Sequence, residues 1–398
     1  MARLETVVVV GAGLAGLRAA EALRQGGFDG RLVMVGEEPH YPYDRPPLSK
    51  QVLTGEWGPE RVALRDPGRL AALQAEWLLG TRAQALDVAG RQLELSGGAR
   101  LRFDGAVLAT GASPRQLPGA PKDMEGVFSL RTLEDSLAIS QALGTGARVV
   151  VVGAGFIGSE VASSCRARGA EVTVVEALPT PLAGVLGERM GAACAALHQD
   201  HGTRLVLGVG VEAIEGGRRV SGVRLADGSS LPADLVVVGL GVRPNCAWLE
   251  GSGLVLADGV VCDQACFAAP GVVAAGDVAR WHHRGIGAEV RVEHWTNASD
   301  QGVAAAHSLL AGPGVARAYE PVPFFWSDQY GTKIQYVGHS RPDDQVEVVH
   351  GSVEERRFVA IYGRDGQLTA ALAFGRPRLL MEYRRLLARG ATWEEARA

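Results

Sequence analysis

Two glycine-rich runs dominate the chemistry legible in this 398-residue chain. The first, Gly11-Ala12-Gly13-Leu14-Ala15-Gly16, follows a β-branched run at residues 7–10 and opens an apolar-periodic segment through Leu17, Ala20 and Leu23. A second apolar run, residues 32–35, stops just before Glu37. Strand, glycine turn, helix and acidic strand end form the dinucleotide fingerprint. The glycines let the backbone turn and approach a pyrophosphate at the helix N-terminus, and the acid accepts hydrogen bonds from an adenosine ribose. The pattern then repeats: residues 149–152 lead into Gly153-Ala154-Gly155-Phe156-Ile157-Gly158, a helix, a strand at 171–175, and Glu176. Each unit is followed by a further apolar strand ending in glycine. These are residues 106–108 before Ala109-Thr110-Gly111, and residues 235–238 before Gly239-Leu240-Gly241. Two dinucleotide sites in one chain suit one tightly held cofactor and one diffusing coenzyme, and a flavin with a nicotinamide is the useful redox combination.

The rest of the chain must position those loops. Residues 271–277 form a short buried strand ending in Gly276-Asp277, where the aspartate either accepts a ribityl hydroxyl of a flavin or caps a following helix. A loop-rich boundary at Gly312-Pro313-Gly314 and Pro321-Val322-Pro323 precedes a section predicted as strands at 333–337, 347–349, 357–362 and 368–373, then helix from Pro377. Composition fits a folded protein of two or three domains: 47% hydrophobic and 21% charged residues exclude a largely disordered chain. A net charge of −4 gives no basic field for nucleic acid. No apolar stretch is long enough for a membrane span, and Met1 runs almost directly into a strand without a signal-peptide pattern. Five cysteines (165, 194, 246, 262, 266) fit a reducing, cytoplasmic setting. There are only three lysines, Lys50, Lys122 and Lys333, against 37 arginines.

Four narrower segments carry a family resemblance: Arg45-Pro46-Pro47-Leu48-Ser49-Lys50, Leu130-Arg131-Thr132, Val292-Glu293-His294-Trp295-Thr296-Asn297-Ala298, and Phe324-Phe325-Trp326-Ser327-Asp328-Gln329. With the two glycine loops they make the chain resemble the FAD-dependent pyridine nucleotide-disulfide oxidoreductases. The closer likeness is to NADH-dependent ferredoxin reductases of the putidaredoxin, rhodocoxin and biphenyl dioxygenase reductase type. The resemblance implies an α/β, glutathione-reductase-like fold: two Rossmann-like domains, for FAD (1–112 and 245–318) and NAD (113–244), plus a C-terminal α+β interface domain (319–398). It places FAD, bound non-covalently, on the first module at Gly11, Gly13, Leu14, Ala15, Gly16, Glu37, Arg45, Lys50, Ala83, Ala109, Thr110, Gly111, Arg131, Gly276, Asp277, Glu293, His294 and Trp295. NADH falls on the second module at Gly153, Gly155, Phe156, Ile157, Gly158, Glu160, Glu176, Gly239 and Gly241, and Trp326 beside the isoalloxazine ring.

Within that resemblance, the absence of cysteine from residues 1–164 is informative. Disulfide reductases of this superfamily keep a redox thiol in the first module; here the corresponding region reads Pro39-His40-Tyr41-Pro42-Tyr43-Asp44-Arg45. Without a thiol beside the flavin, electrons cannot leave by thiol–disulfide exchange and must pass to an external acceptor. Expected catalytic residues are Lys50, a cation tuning the flavin; Glu160, placed to pair with it; and Trp326. Cys262 and Cys266 read as ordinary buried residues, and His282, His283 and His294 lack metal-ligand spacing, so no metal is expected.

The acceptor implied is an iron–sulfur ferredoxin, [2Fe–2S] or [3Fe–4S], that feeds a P450 or an aromatic-ring dioxygenase. Rubredoxin, quinone or oxygen are alternatives, as is a redox-sensing interaction protein resembling apoptosis-inducing factor. After Pro377, Leu379, Leu380, Tyr383, Leu386 and Leu387 mark one helical face and Arg378, Arg385 and Arg389 the other. That arginine face is either solvated surface or a dock for an acidic ferredoxin. Arg61, Arg65 and Arg69, spaced i, i+4, i+8, make a second candidate row.

Overall fold

A computed structural model describes residues 4–119 and 124–398, so Lys122 lies outside the described residues. The chain divides into two compact units.

The first unit comprises Met1–Asp44, Ala63–Ser113 and Arg243–Pro323. Its centre is a six-stranded sheet in the order Phe267–Ala269, Val272–Ala274, Gly105–Leu108, Thr6–Val10, Arg31–Val35, Ala75–Leu78. The four strands from Gly105–Leu108 to Ala75–Leu78 are parallel neighbours, with Val8 opposite Val33 on one side and Ala106 on the other. Val7–Val10 alternate between two apolar layers: Val7 and Val9 pack with Leu17, Leu23 and Leu309 of the flanking helices, Val8 and Val10 with Leu93, Phe103 and Trp281. Burial on both faces explains why these strands read as unbroken hydrophobic runs.

The second unit comprises Arg45–Val62, Pro114–Val242 and Phe324–Ala398. It repeats the parallel arrangement in the order Arg204–Leu207, Glu171–Glu176, Arg148–Val152, Leu235–Val238, Val127–Ser129. In both units the strand before the glycine loop lies between the strand ending in the acid and the later apolar strand, the order of a mononucleotide-binding half. The C-terminal section is an antiparallel sheet, in the order Phe324–Gln329, Thr332–Gly338, Gln367–Phe374, Arg357–Arg364, Gln345–Ser352. The helix Ala183–Asp200 covers one face through Leu186, Met190 and Leu197 against Phe325, Phe358 and Tyr362. The helix Pro377–Ala388 covers the other through Leu380 and Tyr383 against Val359 and Ile361.

The expected strands are present, most of them extended by a residue or more, and the expected helix begins at Pro377, with a further short helix, Trp393–Arg397, after it. The strand expected over 271–277 is shorter, Val272–Ala274, so Gly276 and Asp277 lie beyond it. Two further expectations are corrected. Arg61, Arg65 and Arg69 do not share a helix: Pro59–Val62 is a single 3-10 turn, and a separate helix, Pro67–Ala72, starts where the Asp66 side chain accepts from the Arg69 N–H. Pro67 takes the first helical position, where its missing N–H costs nothing, and residues 63–66 separate the two elements. Asp277 does not cap a helix either, since it lies inside the 3-10 turn Gly276–Val278 and a strand follows. Among the described residues no helix is long and apolar enough to cross a membrane.

Candidate functional site

The glycine loops are built alike. Gly11 and Gly153 sit at φ +115° and +100°, a region that L side chains avoid. A Cβ on Gly11 would stand 2.1 Å from the Ala109 carbonyl oxygen, and one on Gly153 would stand 2.5 Å from that of Gly239. The third glycines, Gly16 and Gly158, let each helix close against its loop: a Cβ there would fall 1.9 and 2.1 Å from the carbonyl oxygens of Gly11 and Gly153. The middle glycines differ. A Cβ on Gly13 or Gly155 would meet nothing within 4 Å, so the backbone there faces open space. Both residues also cap their helices, Leu14–Gln25 and Phe156–Ala167, without a side-chain acceptor. The first N–H groups of each helix are therefore left for an anion, which is the donor set a pyrophosphate needs.

In the first unit, Glu37 is exposed at the strand end, with Arg82 Nη1 3.7 Å away. Ala15, Ala83 and Ala109 are buried. The Ala109-Thr110-Gly111 loop is clasped by Asn245: the Thr110 hydroxyl donates to the Asn245 carbonyl at 2.8 Å, and Asn245 Nδ2 donates to the Thr110 carbonyl at 3.0 Å. The Gly276 N–H donates to the buried Gln301 Oε1 at 2.9 Å, which fixes the turn carrying Asp277. Arg291 Nη1 reaches Glu293 at 2.6 Å and the Asp277 carbonyl at 3.2 Å. His294 caps the helix Trp295–Ala311. Trp295 is 37% exposed and donates through Nε1 to Asp44 Oδ1 at 2.7 Å.

In the second unit, Arg45 Nη1 donates to the Arg131 carbonyl at 2.5 Å, and the Arg131 N–H donates to Asp135, the acid of a capping box with Thr132. Lys50 and Glu160 meet: Nζ to Oε2 is 2.6 Å, with Glu160 6% exposed. The Glu160 carboxylate also accepts from Ser49 Oγ at 2.5 Å, Ser327 Oγ at 2.8 Å and the Asp328 N–H at 3.2 Å. A buried carboxylate with four donors, one of them a lysine ammonium, is satisfied on both oxygens and fixed in direction. Phe156 packs on Phe325 with ring centroids 4.3 Å apart, while Ile157 is 37% exposed. Trp326 is half-buried beside Phe324, centroids 6.1 Å apart. Glu176 ends its strand with Oε2 accepting from the Ala154 N–H at 2.7 Å and Oε1 from the Leu178 N–H at 2.9 Å, which ties the acid to the glycine loop.

Ser49, Ser327, Asn245, Gln301 and Asp44 are contributors that sequence reasoning gave no role. Ser49 and Ser327 lie inside the Arg45–Lys50 and Phe324–Gln329 segments singled out above, but neither residue type signals a partner more than a hundred positions away. The five cysteines are all free, and only Cys246 is partly exposed. Burial pushes the thiols of Cys165 and Cys194 up to about 12, and those of Cys262 and Cys266 are likewise raised. These are inert thiols. Among the described residues no group of three or more His, Cys, Asp or Glu is arranged to hold a metal.

The family model described as pyridine nucleotide-disulphide oxidoreductase matches residues 5–302, and the reductase C-terminal model matches residues 324–398. The biphenyl dioxygenase system ferredoxin–NAD(+) reductase component of Paraburkholderia xenovorans (strain LB400) is 38% identical, over 94% of this chain and 91% of that one. The ferredoxin reductase for the CYP199A2 system from Rhodopseudomonas palustris superposes with a TM-score of 0.93 at 37% identity, covering 99% and 97% of the two chains. The reductase in the covalent putidaredoxin reductase–putidaredoxin complex gives 0.92 at 34% identity, covering 97% and 93%. With both models matched in order and relatives alike along almost their whole length, the chain belongs to the pyridine nucleotide-disulphide oxidoreductase family, in the branch that ends in a reductase C-terminal domain.

Proposed function

We propose that the chain is an NADH-dependent flavoprotein ferredoxin reductase that feeds a P450 or an aromatic-ring dioxygenase. The observation that carries this reading is a family scaffold with two nucleotide loops and no thiol in residues 1–164, where disulfide reductases of the superfamily keep theirs. No cysteine precedes Cys165, and the buried ones are held protonated. Relatives named for ferredoxin reduction, alike over nearly the full chain, supply the acceptor class. FAD, when bound, accepts two electrons together as a hydride from NADH and releases them singly to a one-electron carrier.

The residues divide that work. In the first unit the Gly11–Gly16 loop offers its N–H groups to the FAD pyrophosphate, Glu37 accepts from the ribose, and Asp277 accepts from the ribityl chain. In the second unit the Gly153–Gly158 loop and Glu176 hold NADH in the same manner. Lys50 supplies a fixed positive charge that favours electron-rich flavin, and Glu160 keeps its ammonium in one direction. Trp326 shields the ring from water, and Arg378, Arg385 and Arg389 attract an acidic [2Fe–2S] or [3Fe–4S] ferredoxin. On this reading residues 1–112 and 245–318 are the FAD domain, 113–244 the NAD domain and 319–398 the interface domain, and the protein works in the cytoplasm.

The test is anaerobic titration of the FAD-loaded protein with NADH, followed by cytochrome c reduction through a panel of [2Fe–2S], [3Fe–4S] and rubredoxin-type carriers. We expect bleaching of the flavin band and turnover with an iron–sulfur ferredoxin. Protein that cannot be loaded with FAD would overturn the reading, and full reduction without transfer to any ferredoxin would move the acceptor to a quinone or oxygen.

A further inference from the structure

The two oxygens of the Glu160 carboxylate are divided between two distant parts of the second unit. Oε2 takes Ser49 Oγ and Lys50 Nζ; Oε1 takes Ser327 Oγ and the Asp328 N–H. The neighbouring turns of the same helix extend both grips. Ser163, three residues on, accepts the Tyr330 N–H at 2.8 Å, and Ser164, four residues on, donates to the Ser49 carbonyl at 2.6 Å. Residues i, i+3 and i+4 share one helix face. That face of Phe156–Ala167 therefore holds the strand Phe324–Gln329 and the Ser49–Lys50 turn side by side, and Glu160 alone belongs to both grips. Ser327 is fully buried and makes two bonds, donating to Glu160 and accepting from Gln329 Nε2 at 3.1 Å. It directly follows Trp326 in the chain.

We propose that Ser327 is a positioning residue: its hydroxyl aims the Glu160 carboxylate, and through it the Lys50 ammonium, and locks that pair to the strand bearing Trp326. This rests on the flavoprotein reading of the same residues. A carboxylate holding only Ser49 and Lys50 could rotate about its terminal torsion, which is broad for glutamate, and carry the ammonium with it. The Oε1 donors remove that freedom. The Asp328 N–H, at 3.2 Å, is the longer of the two, so the hydroxyl supplies most of the restraint. Ser327 touches neither coenzyme on this account; it acts through Glu160.

The experiment uses the full-length, FAD-loaded protein. At saturating NADH, Ser327→Ala should slow anaerobic flavin reduction by roughly 10-fold while the NADH concentration giving half-maximal rate changes less than about 2-fold, the signature of lost alignment rather than lost binding. The flavin absorption band should shift in the variant in the same direction as in Glu160→Ala, recorded side by side. In a Glu160→Ala background, Ser327→Ala should have little further effect, because two residues acting through one contact are not additive. Ser327→Cys keeps the side-chain volume with a weaker donor and should give a smaller loss; it also serves where the alanine variant does not fold. A Ser327→Ala rate equal to that of the parent, or a loss fully additive with Glu160→Ala, overturns the proposal. A parent protein that NADH does not reduce overturns the flavoprotein reading instead.

Discussion

At the scale of single residues, chemistry is separated from scaffolding by what surrounds each glycine. Gly11 is structural, because its φ of +115° and the Ala109 carbonyl leave no room for a methyl group. Gly13, at φ −90° with open space around it, accepts a Cβ without strain. Gly11→Ala should therefore destabilise the fold by about 3 kcal/mol or more and express poorly. Gly13→Ala should fold with a stability change within ~1 kcal/mol yet retain FAD poorly, because the added methyl occupies the space a pyrophosphate needs. Thermal melts of the apoproteins beside their FAD occupancy check both; full FAD occupancy in Gly13→Ala would mean that the open space is not the phosphate site. Glu176 sets a second residue-scale expectation. A 2′-phosphate beside this carboxylate meets like charge, and Ala177-Leu178-Pro179-Thr180 offers no cation. NADH should be preferred over NADPH by at least ~10-fold in kcat/KM, about 1.4 kcal/mol. Glu176→Ala should narrow that ratio mainly by harming NADH, since the side chain also secures the Ala154 N–H of the loop. Comparable kcat/KM values for the two coenzymes in the parent would remove Glu176 from the coenzyme site.

At the scale of elements, legibility tracked how local the cause was. The two strand–loop–helix units, set by β-branched runs and adjacent glycines, needed no information from elsewhere in the chain. The Glu160 assembly could not be read beyond its Lys50 pairing, because Ser49 and Ser327 gain meaning only through contacts 111 and 167 residues away. The helix Ala183–Asp200 also escaped notice. It is broken at Gly187, where φ is 74°, and its apolar side faces the C-terminal sheet rather than its own parallel sheet. This helix carries a pH-dependent feature. Burial, reinforced by neighbouring His201, lowers the pKa of His198 from 6.5 to about 4, so the ring is neutral in the fold. Its Nδ1 meets the Tyr330 hydroxyl at 2.8 Å, which also contacts Thr203 Oγ1 at 2.8 Å. A neutral buried imidazole lets the unfolded chain bind the extra proton first. Stability should thus be intact above pH ~6.5 and fall as pH drops toward 4, by at most about 3 kcal/mol from this residue. Denaturant midpoints from pH 7.5 to 4.5 should decline less steeply in His198→Gln than in the parent; parallel slopes would assign the acid sensitivity elsewhere.

At the scale of the whole molecule, a protein with a net charge of −4 would have to draw an acidic ferredoxin by a local feature rather than by its overall charge. A local cationic field suffices if its charges are exposed and unspent. The helix Pro377–Ala388 and its cap meet that condition unequally. Arg378 and Arg385 are exposed, and among the described residues neither enters an ion pair. Arg389 is exposed but held 3.1 Å from Glu395, and Arg384 lies over the Phe324 ring at 5.5 Å. The second arginine row is largely spent: Arg65 pairs with Glu21, Arg69 with Asp66, and Arg61 stacks on Trp57. Replacing Arg378, Arg385 and Arg389 together with Gln should slow ferredoxin-coupled turnover several-fold and leave NADH-to-ferricyanide turnover unchanged, since small acceptors need no docking face. Arg389→Gln alone should have the smallest effect of the three single variants, because Glu395, 3.1 Å away, already offsets its charge. The gap between the triple variant and the parent should close as ionic strength rises from about 0.01 to 0.5 M, where the screening length shrinks from roughly 30 Å to under 8 Å. Equal ferredoxin kinetics for triple variant and parent at low salt would make this face ordinary solvated surface and move the dock elsewhere.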